Sequence, residues 1–169
     1  MHNKFSYVCL KYLKMKREET IDFHIKSAWH AISRMYNQQA AQYDFTMSIG
    51  FVLLNIDSKK GTPATKIAPL LGLESRSLTR MLKTMEEKGM IYKQPDAKDG
   101  RSVRIYLTEK GKVKRDLSRH TVITFNKYIT ENIDPEKLKI FFDVIQDVFR
   151  MVDEDQIFKN KQVLSEINS

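Results

Sequence analysis

The 169-residue sequence predicts a mainly α fold that carries one small antiparallel β-hairpin. Three observations lead there. Apolar residues recur at helical spacing through long stretches near both ends of the chain. Two shorter helical stretches meet at the tight turn Gly72-Leu73-Glu74. The two-residue period of a half-exposed strand follows, where Val103, Ile105 and Leu107 alternate with Arg104 and Tyr106.

Over residues 21–43, the apolar positions Ile21, Ile25, Ala28, Ile32, Met35, Tyr36 and Tyr43 mark one face of a long helix. Thr46 is an N-cap for a second helix that turns Ile49, Val52, Leu53 and Ile56 inward and ends at Lys59-Lys60-Gly61. Thr62-Pro63 reads as the N-cap and first position of a third helix, because proline's missing N–H is not needed there. That helix runs to Leu71, and Gly72 supplies a left-handed stop. Pro69 conflicts with an unbroken helix, so the helix either opens near Thr65 or kinks.

Ser75 begins the next helix, which runs to Lys88 over the buried stripe Leu78, Leu82 and Met85 and is closed by Gly89. Two helices joined by a tight glycine turn make a helix-turn-helix. Ile91-Tyr92-Lys93 and residues 103–107 are strands, and residues 95–101 form a charged, turn-rich hairpin tip. Thr108 caps a long helix reaching about Asn132, with Gly111 weakening its first turn. Asp134-Pro135-Glu136 starts a last helix carrying Leu138, Phe141, Ile145, Val148, Phe149 and Val152.

A helix-turn-helix followed by a β-hairpin is a winged helix. The expected organisation is an extension over residues 1–19, a dimerisation helix over 20–45, a winged helix-turn-helix over 46–111, C-terminal dimerisation helices over 112–152, and a polar tail over 153–169. The physical case for a homodimer is that the end helices carry more apolar surface than one small module can bury.

Composition narrows the function. Residues 59–115 hold fifteen basic residues against six acidic ones, whereas the rest of the chain holds fourteen against fifteen. The whole formal charge of +8 therefore comes from the middle segment, as a polyanion-binding module requires. A solubilising surface is the plainer reading of the same charge. No run of 18 apolar residues exists, and the apolar stretch at residues 5–13 is broken by Lys11 and lacks a small-residue cleavage site, so neither a membrane span nor a signal peptide is expected. A single cysteine, Cys9, is what a cytoplasmic chain carries.

Enzyme signatures are missing. His2, His24, His30 and His120 form no i, i+4 pair and have no cysteine at zinc spacing, and there is no phosphate loop, dinucleotide glycine pattern or nucleophile elbow. The sequence predicts no enzyme, no metal and no cofactor.

Across residues 62–111 an ordered set of short pieces stands out. It comprises Ile67-Ala68, Leu71-Gly72-Leu73, Ser77-Leu78-Thr79-Arg80-Met81-Leu82, Met85-Glu86-Glu87-Lys88-Gly89-Met90-Ile91, Asp99-Gly100-Arg101-Ser102 and Leu107-Thr108-Glu109-Lys110-Gly111. This set resembles the MarR family of winged helix-turn-helix transcriptional regulators, and with the flanking helices the likeness covers about residues 21–152. Pro69 is unusual at a position the family often fills with a charged helix former, and the first 14 residues match nothing, with Met15-Lys16-Arg17 a candidate start.

On the helix from Ser75, the face opposite Leu78 and Leu82 presents Ser75, Arg76, Ser77, Thr79, Arg80 and Lys83. Small hydroxyls let a helix approach the major-groove floor, Arg can bond guanine bidentately, and Lys can reach phosphate. The resemblance implies that this helix enters the major groove. The hairpin adds Lys98, Asp99, Arg101 and Arg104; an arginine at a wing tip can reach the electronegative minor groove, and the resemblance implies that Asp99 orients Arg101 there. Trp29, His30, Tyr36, Tyr43, Met47 and Phe51 read first as core and dimer packing, and the resemblance makes them a candidate pocket for a small aromatic or anionic effector. Some relatives sense peroxide with a cysteine in their first core helix, but residues 21–43 have none and Cys9 lies upstream.

The expected function is sequence-specific binding of a pseudo-palindromic double-stranded DNA operator by a cytoplasmic homodimer that tunes transcription and is released by an effector. The alternative is a protein-interaction winged helix whose basic face only solubilises it.

Overall fold

The computed structural model describes residues 16–96 and 102–154, and the chain forms two compact units that divide between Thr121 and Val122. In the first unit a one-turn 3-10 helix, Arg17–Glu19, leads into α1, Ile21–Ala41. Then follow α2, Met47–Leu54; β1, Thr62–Pro63; α3, Ala64–Leu70; α4, Ser75–Glu87; β2, Ile91–Pro95; and β3, Val103–Leu107. The helix α5, Glu109–Asn132, begins in this unit. The second unit holds its later turns and α6, Pro135–Asp153.

The winged helix-turn-helix expected from the sequence is present: α3 and α4 meet at Gly72 in the left-handed region, and β2 and β3 pair antiparallel from Ile91↔Leu107 to Pro95↔Val103. Its core draws from α2, α3, α4, β2 and β3. Leu53 of α2, Ile67 of α3, Met85 of α4 and Ile105 of β3 are all fully buried, each removing about 1.5–3 kcal/mol of side-chain surface energy from water. The stripe Leu78, Leu82 and Met85 faces inward, as does the set Ile49, Val52, Leu53 and Ile56.

The caps are where the side-chain chemistry put them. Thr46 Oγ1 accepts the Ile49 amide at 3.3 Å, Thr108 Oγ1 accepts the Gly111 amide at 3.1 Å, and Asp134 Oδ1 accepts the amides of Glu136 and Lys137 at 2.9 and 3.2 Å.

Three local expectations are corrected. The helix after Thr46 stops at Leu54, not at Lys59-Lys60-Gly61, because Asp57 Oδ1 takes the amides of Lys59 and Lys60 at 2.8 Å each and turns the chain first. Thr62-Pro63 is a short strand that runs directly into α3, with Pro63 as the N-cap in place of Thr62; it pairs with β3 as Thr62↔Ile105 and Pro63↔Arg104, making a three-stranded sheet of order β1-β3-β2. Proline is tolerated there because β1 is an edge strand. For Pro69 the first of the two expected alternatives holds: α3 opens at Ala64, beside Thr65, and ends one residue beyond the proline. Val103 is exposed at the outer end of β3, so only Ile105 and Leu107 keep the buried period.

Between α1 and α2, Asp44 adopts the left-handed conformation with φ of 58°. Lys88, just past α4, donates to its carbonyl at 3.3 Å and reaches its carboxylate at 3.4 Å. Lys114 of α5 donates to the Tyr43 carbonyl and lies over the rings of Tyr43 and Phe45. Two lysines thus hold the α1–α2 corner against α4 and α5.

In the second unit α6 buries none of its described residues, and Phe141, Phe142 and Phe149 are more than half exposed. In the first unit, Ile21, Ile25 and Trp29 of α1 are exposed too.

Candidate nucleic-acid interface

The helix α4 positions six of the predicted residues on one face because its sequence, Ser75 to Glu87, spends the other face on Leu78, Leu82 and Met85. Ser75, Arg76, Ser77, Thr79, Arg80 and Lys83 are all exposed. Thr79 donates its hydroxyl to the Ser75 carbonyl at 2.8 Å, and both residues help line a groove between α3 and α4. Lys83 approaches Glu87 only to 3.9 Å with both side chains well exposed, a weak pair that leaves the ammonium available. Among the described residues the ion pairs include neither Arg76 nor Arg80.

The far end of α4 is held by its carbonyls. Lys110 Nζ donates to the Lys88 carbonyl at 2.8 Å, Thr108 Oγ1 to the Gly89 carbonyl at 2.7 Å, and the Thr108 amide to the Met90 carbonyl at 3.0 Å. These bonds orient the exposed face. Lys88, Thr108 and Lys110 escaped sequence reasoning in this role because their partners are backbone atoms of a distant turn, which no spacing encodes.

Of the wing residues, Lys98, Asp99 and Arg101 lie outside the described residues. Arg104 is described and is committed within the molecule. It pairs with the buried carboxylate of Asp96 and donates to the carbonyls of Lys60 and Gly61. Asp96 was not a predicted site residue. On the outer side of the sheet, Tyr92 and Tyr106 occupy directly paired positions and stack at 5.3 Å.

The aromatic set divides. Trp29 stacks on Phe51 at 6.3 Å, and Tyr36 meets Phe51 edge-on at 5.9 Å, so these three come together between α1 and α2. Burial pushes the Tyr36 phenol pKa up. Ser33 Oγ, one turn from Trp29 and from Tyr36, is buried without a hydrogen-bond partner among the described residues. Met47 is half-buried, while His30 and Tyr43 are exposed, and Tyr43 sits instead under Lys114. No group of three or more His, Cys, Asp or Glu that could hold a metal exists among the described residues, and none of the described helices is long and apolar enough to cross a membrane.

Comparison with known proteins bears on this geometry. The chain is 36% identical over 103 residues to the HTH-type transcriptional regulator TtmR of Methylorubrum extorquens, covering 59% of this chain and 53% of that protein. It is 32% identical over 98 residues to the HTH-type transcriptional regulator SarZ of Staphylococcus aureus, covering 57% and 66%. Residues 45–103, from the α1–α2 corner to the start of β3, match the MarR family model. The chain belongs to the MarR family. It spans about half to two thirds of the length of these curated MarR-type relatives. The fold agrees with solved members: the transcriptional regulator SlyA superposes with a TM-score of 0.68 at 25% identity, covering 78% of this chain and 93% of that one. The S. aureus MepR–DNA complex superposes with a TM-score of 0.72 at 20% identity, covering 78% and 97%, a likeness of fold. The matched span contains the outer face of α4 and stops one residue short of Arg104.

Proposed function

We propose that this MarR-family chain is a transcriptional regulator that binds double-stranded DNA sequence-specifically, as a cytoplasmic homodimer. The observation that carries the reading is the outer face of α4, where Ser75, Ser77 and Thr79 are flanked by Arg76, Arg80 and Lys83 and none of the six is buried. Hydroxyls of that size let the helix approach base edges, and the two arginines have the fork geometry that matches guanine. The excess charge of residues 59–115 supplies affinity for phosphate without regard to sequence.

Two copies of α4 held about one DNA turn apart, roughly 34–36 Å, would read a pseudo-palindrome. Exposed apolar side chains support the pairing of copies: Ile21, Ile25 and Trp29 on α1, and Phe141, Phe142 and Phe149 on α6. The cluster of Trp29, Tyr36 and Phe51, with the Ser33 hydroxyl unpartnered among the described residues, supports a site for a small aromatic effector whose binding releases DNA. On the wing, Lys98, Asp99 and Arg101 are proposed to contact the minor groove.

The test is affinity for random-sequence duplex DNA across a salt series, with sedimentation of the same protein. A log–log slope of about −0.9 per neutralised phosphate, from a species of twice the chain mass, supports the reading. Binding that is absent or independent of salt overturns it in favour of a protein-interaction module, and a stable 19.9 kDa monomer at micromolar concentration overturns the homodimer.

A further inference from the structure

All three nitrogens of the Arg104 guanidinium are engaged inside the protein. Its Nε donates to Asp96 Oδ2 at 2.9 Å, Nη2 lies 2.7 Å from the same oxygen, and Nη1 donates to the carbonyls of Lys60 and Gly61 at 3.2 and 3.1 Å. The Asp96 side chain is 6% exposed and that of Arg104 is 22% exposed. A carboxylate buried that deeply is tolerated only with its partner in place, so removing either one leaves an uncompensated charge.

Both ends of the bridge are structurally anchored. The Asp96 amide donates to the Ser102 carbonyl at 2.9 Å, the outermost bond of the hairpin among the described residues. Arg104 stands in register with Gln94 on one side and Pro63 on the other, in the central strand of the sheet. Its carbonyl partners belong to the turn that Asp57 braces. That turn presses against β3, because a Cβ on Gly61 would lie 2.6 Å from the Ile105 carbonyl oxygen and 2.8 Å from the Tyr106 ring.

We infer that Arg104 and Asp96 are positioning residues of the wing and that Arg104 makes no DNA contact: together they clamp the root of the hairpin to the loop before β1 and set the direction in which it leaves the body. The inference rests on the DNA-binding function proposed above. It reverses the sign of one effect. If Arg104 touched phosphate, Asp96→Asn would free the guanidinium and delete a competing negative charge, so DNA would bind more tightly. As a clamp, Asp96→Asn loosens the root and DNA binds more weakly, in the same direction as Arg104→Gln.

The experiment uses the full chain and duplexes recovered by selection from a random library, built with A·T or G·C flanks, titrated across a KCl series. The parent protein tests the function first: if it shows no salt-dependent binding to any duplex, DNA recognition and the clamp's role in it fall together. With a binding parent, Asp96→Asn, Arg104→Gln and the double variant should each lose affinity roughly tenfold, the double losing no more than the singles. Their salt slopes should stay at the parent value, and their preference for A·T flanks should shrink, a change that lost stability alone would not produce. Arg104→Lys keeps the charge without the fork and should weaken binding as well. In DNA-free protein, the Asp96 amide should exchange faster in every variant, a readout that survives if one variant folds poorly. Tighter binding by Asp96→Asn overturns the inference. So does a slope reduced by about 0.9 in Arg104→Gln, which marks a lost phosphate contact. Parent-like affinity and exchange in these variants overturns it equally.

Discussion

Gly111 lies so close to Met90 that a β-carbon at position 111 would overlap the Met90 carbonyl oxygen. By propensity a glycine in the first turn of α5 looks like a weakness, and the structure gives the reason for it. The start of α5 must come within backbone distance of the turn that ends α4, so that Thr108 and Lys110 can bond the carbonyls of Lys88, Gly89 and Met90. A bare Cα is what lets that end of α4 be held.

Gly111→Ala should therefore destabilise the protein by about 1–3 kcal/mol through overpacking, although Gly→Ala in a free helix gains nearly 1 kcal/mol. Gly72→Ala is the control: its φ is +59° with nothing within 4 Å of a Cβ, so it should cost only the left-handed penalty of about 1–2 kcal/mol without disturbing α5. Urea unfolding of both variants checks this, together with the exchange rate of the Thr108 amide. Stabilisation by Gly111→Ala would refute the close-approach account.

Arg80 is exposed on the outer face of α4 and has no ion-pair partner among the described residues. Arg80→Ala should weaken specific DNA binding by roughly 1–3 kcal/mol and relax preference at one position per half-site if it reads a base. Uniform weakening across sequences would assign it to phosphate instead, and parent-like binding would remove it from the interface. Quantitative binding to a library of single-base operator variants separates the three.

Arg101, outside the described residues, is expected to act at the minor groove. Arg101→Ala should leave thermal stability within about 0.5 kcal/mol of the parent, as surface substitutions usually do. It should weaken binding most on duplexes with A·T-rich flanks, where the groove is narrow and its potential most negative. Asp99→Ala should give a smaller version of the same defect if its carboxylate orients Arg101. Equal binding of Arg101→Ala and parent to A·T- and G·C-flanked duplexes would exclude the wing tip from DNA recognition.

Asp57 carries a pH dependence with a definite sign. The Lys60 amide foremost, then the Lys59 amide, bond its carboxylate and hold its pKa below the usual 3.8, with the charges of Lys60 and Arg115 adding to this. A depressed folded-state pKa means that the bracing is fully present above the unfolded value and is lost as pH falls through the folded one. The Lys59 and Lys60 amide resonances should therefore titrate together with a midpoint below 3.8, and Asp57→Asn should abolish that titration. A midpoint at or above 3.8 would contradict the hydrogen-bonded turn.

Much of the molecule was legible in the sequence because its signals are local. Thr46, Thr108 and Asp134 cap helices with their own side chains, within three residues of the amides they satisfy. The stripe Leu78, Leu82 and Met85 shows which face of α4 is buried, and so which face offers Ser75, Arg76, Ser77, Thr79, Arg80 and Lys83. Helix order, the glycine stop at Gly72 and the hairpin follow from the same short-range rules.

Other features were decided only when distant segments met. Thr62-Pro63 has every mark of a helix start, yet it became a strand because Ile105 and Arg104 offered a sheet edge that local sequence cannot announce. Arg104 reads as one more wing cation until Asp96 and the carbonyls of Lys60 and Gly61 close around it. Periodicity and capping are properties of neighbours along the chain, so the sequence alone determines where most helices begin and which face α2 and α4 hide. Which charges remain for a ligand depends on partners far away in sequence, and only the tertiary structure decides it, because a guanidinium bonds whatever the fold brings within 3 Å of it.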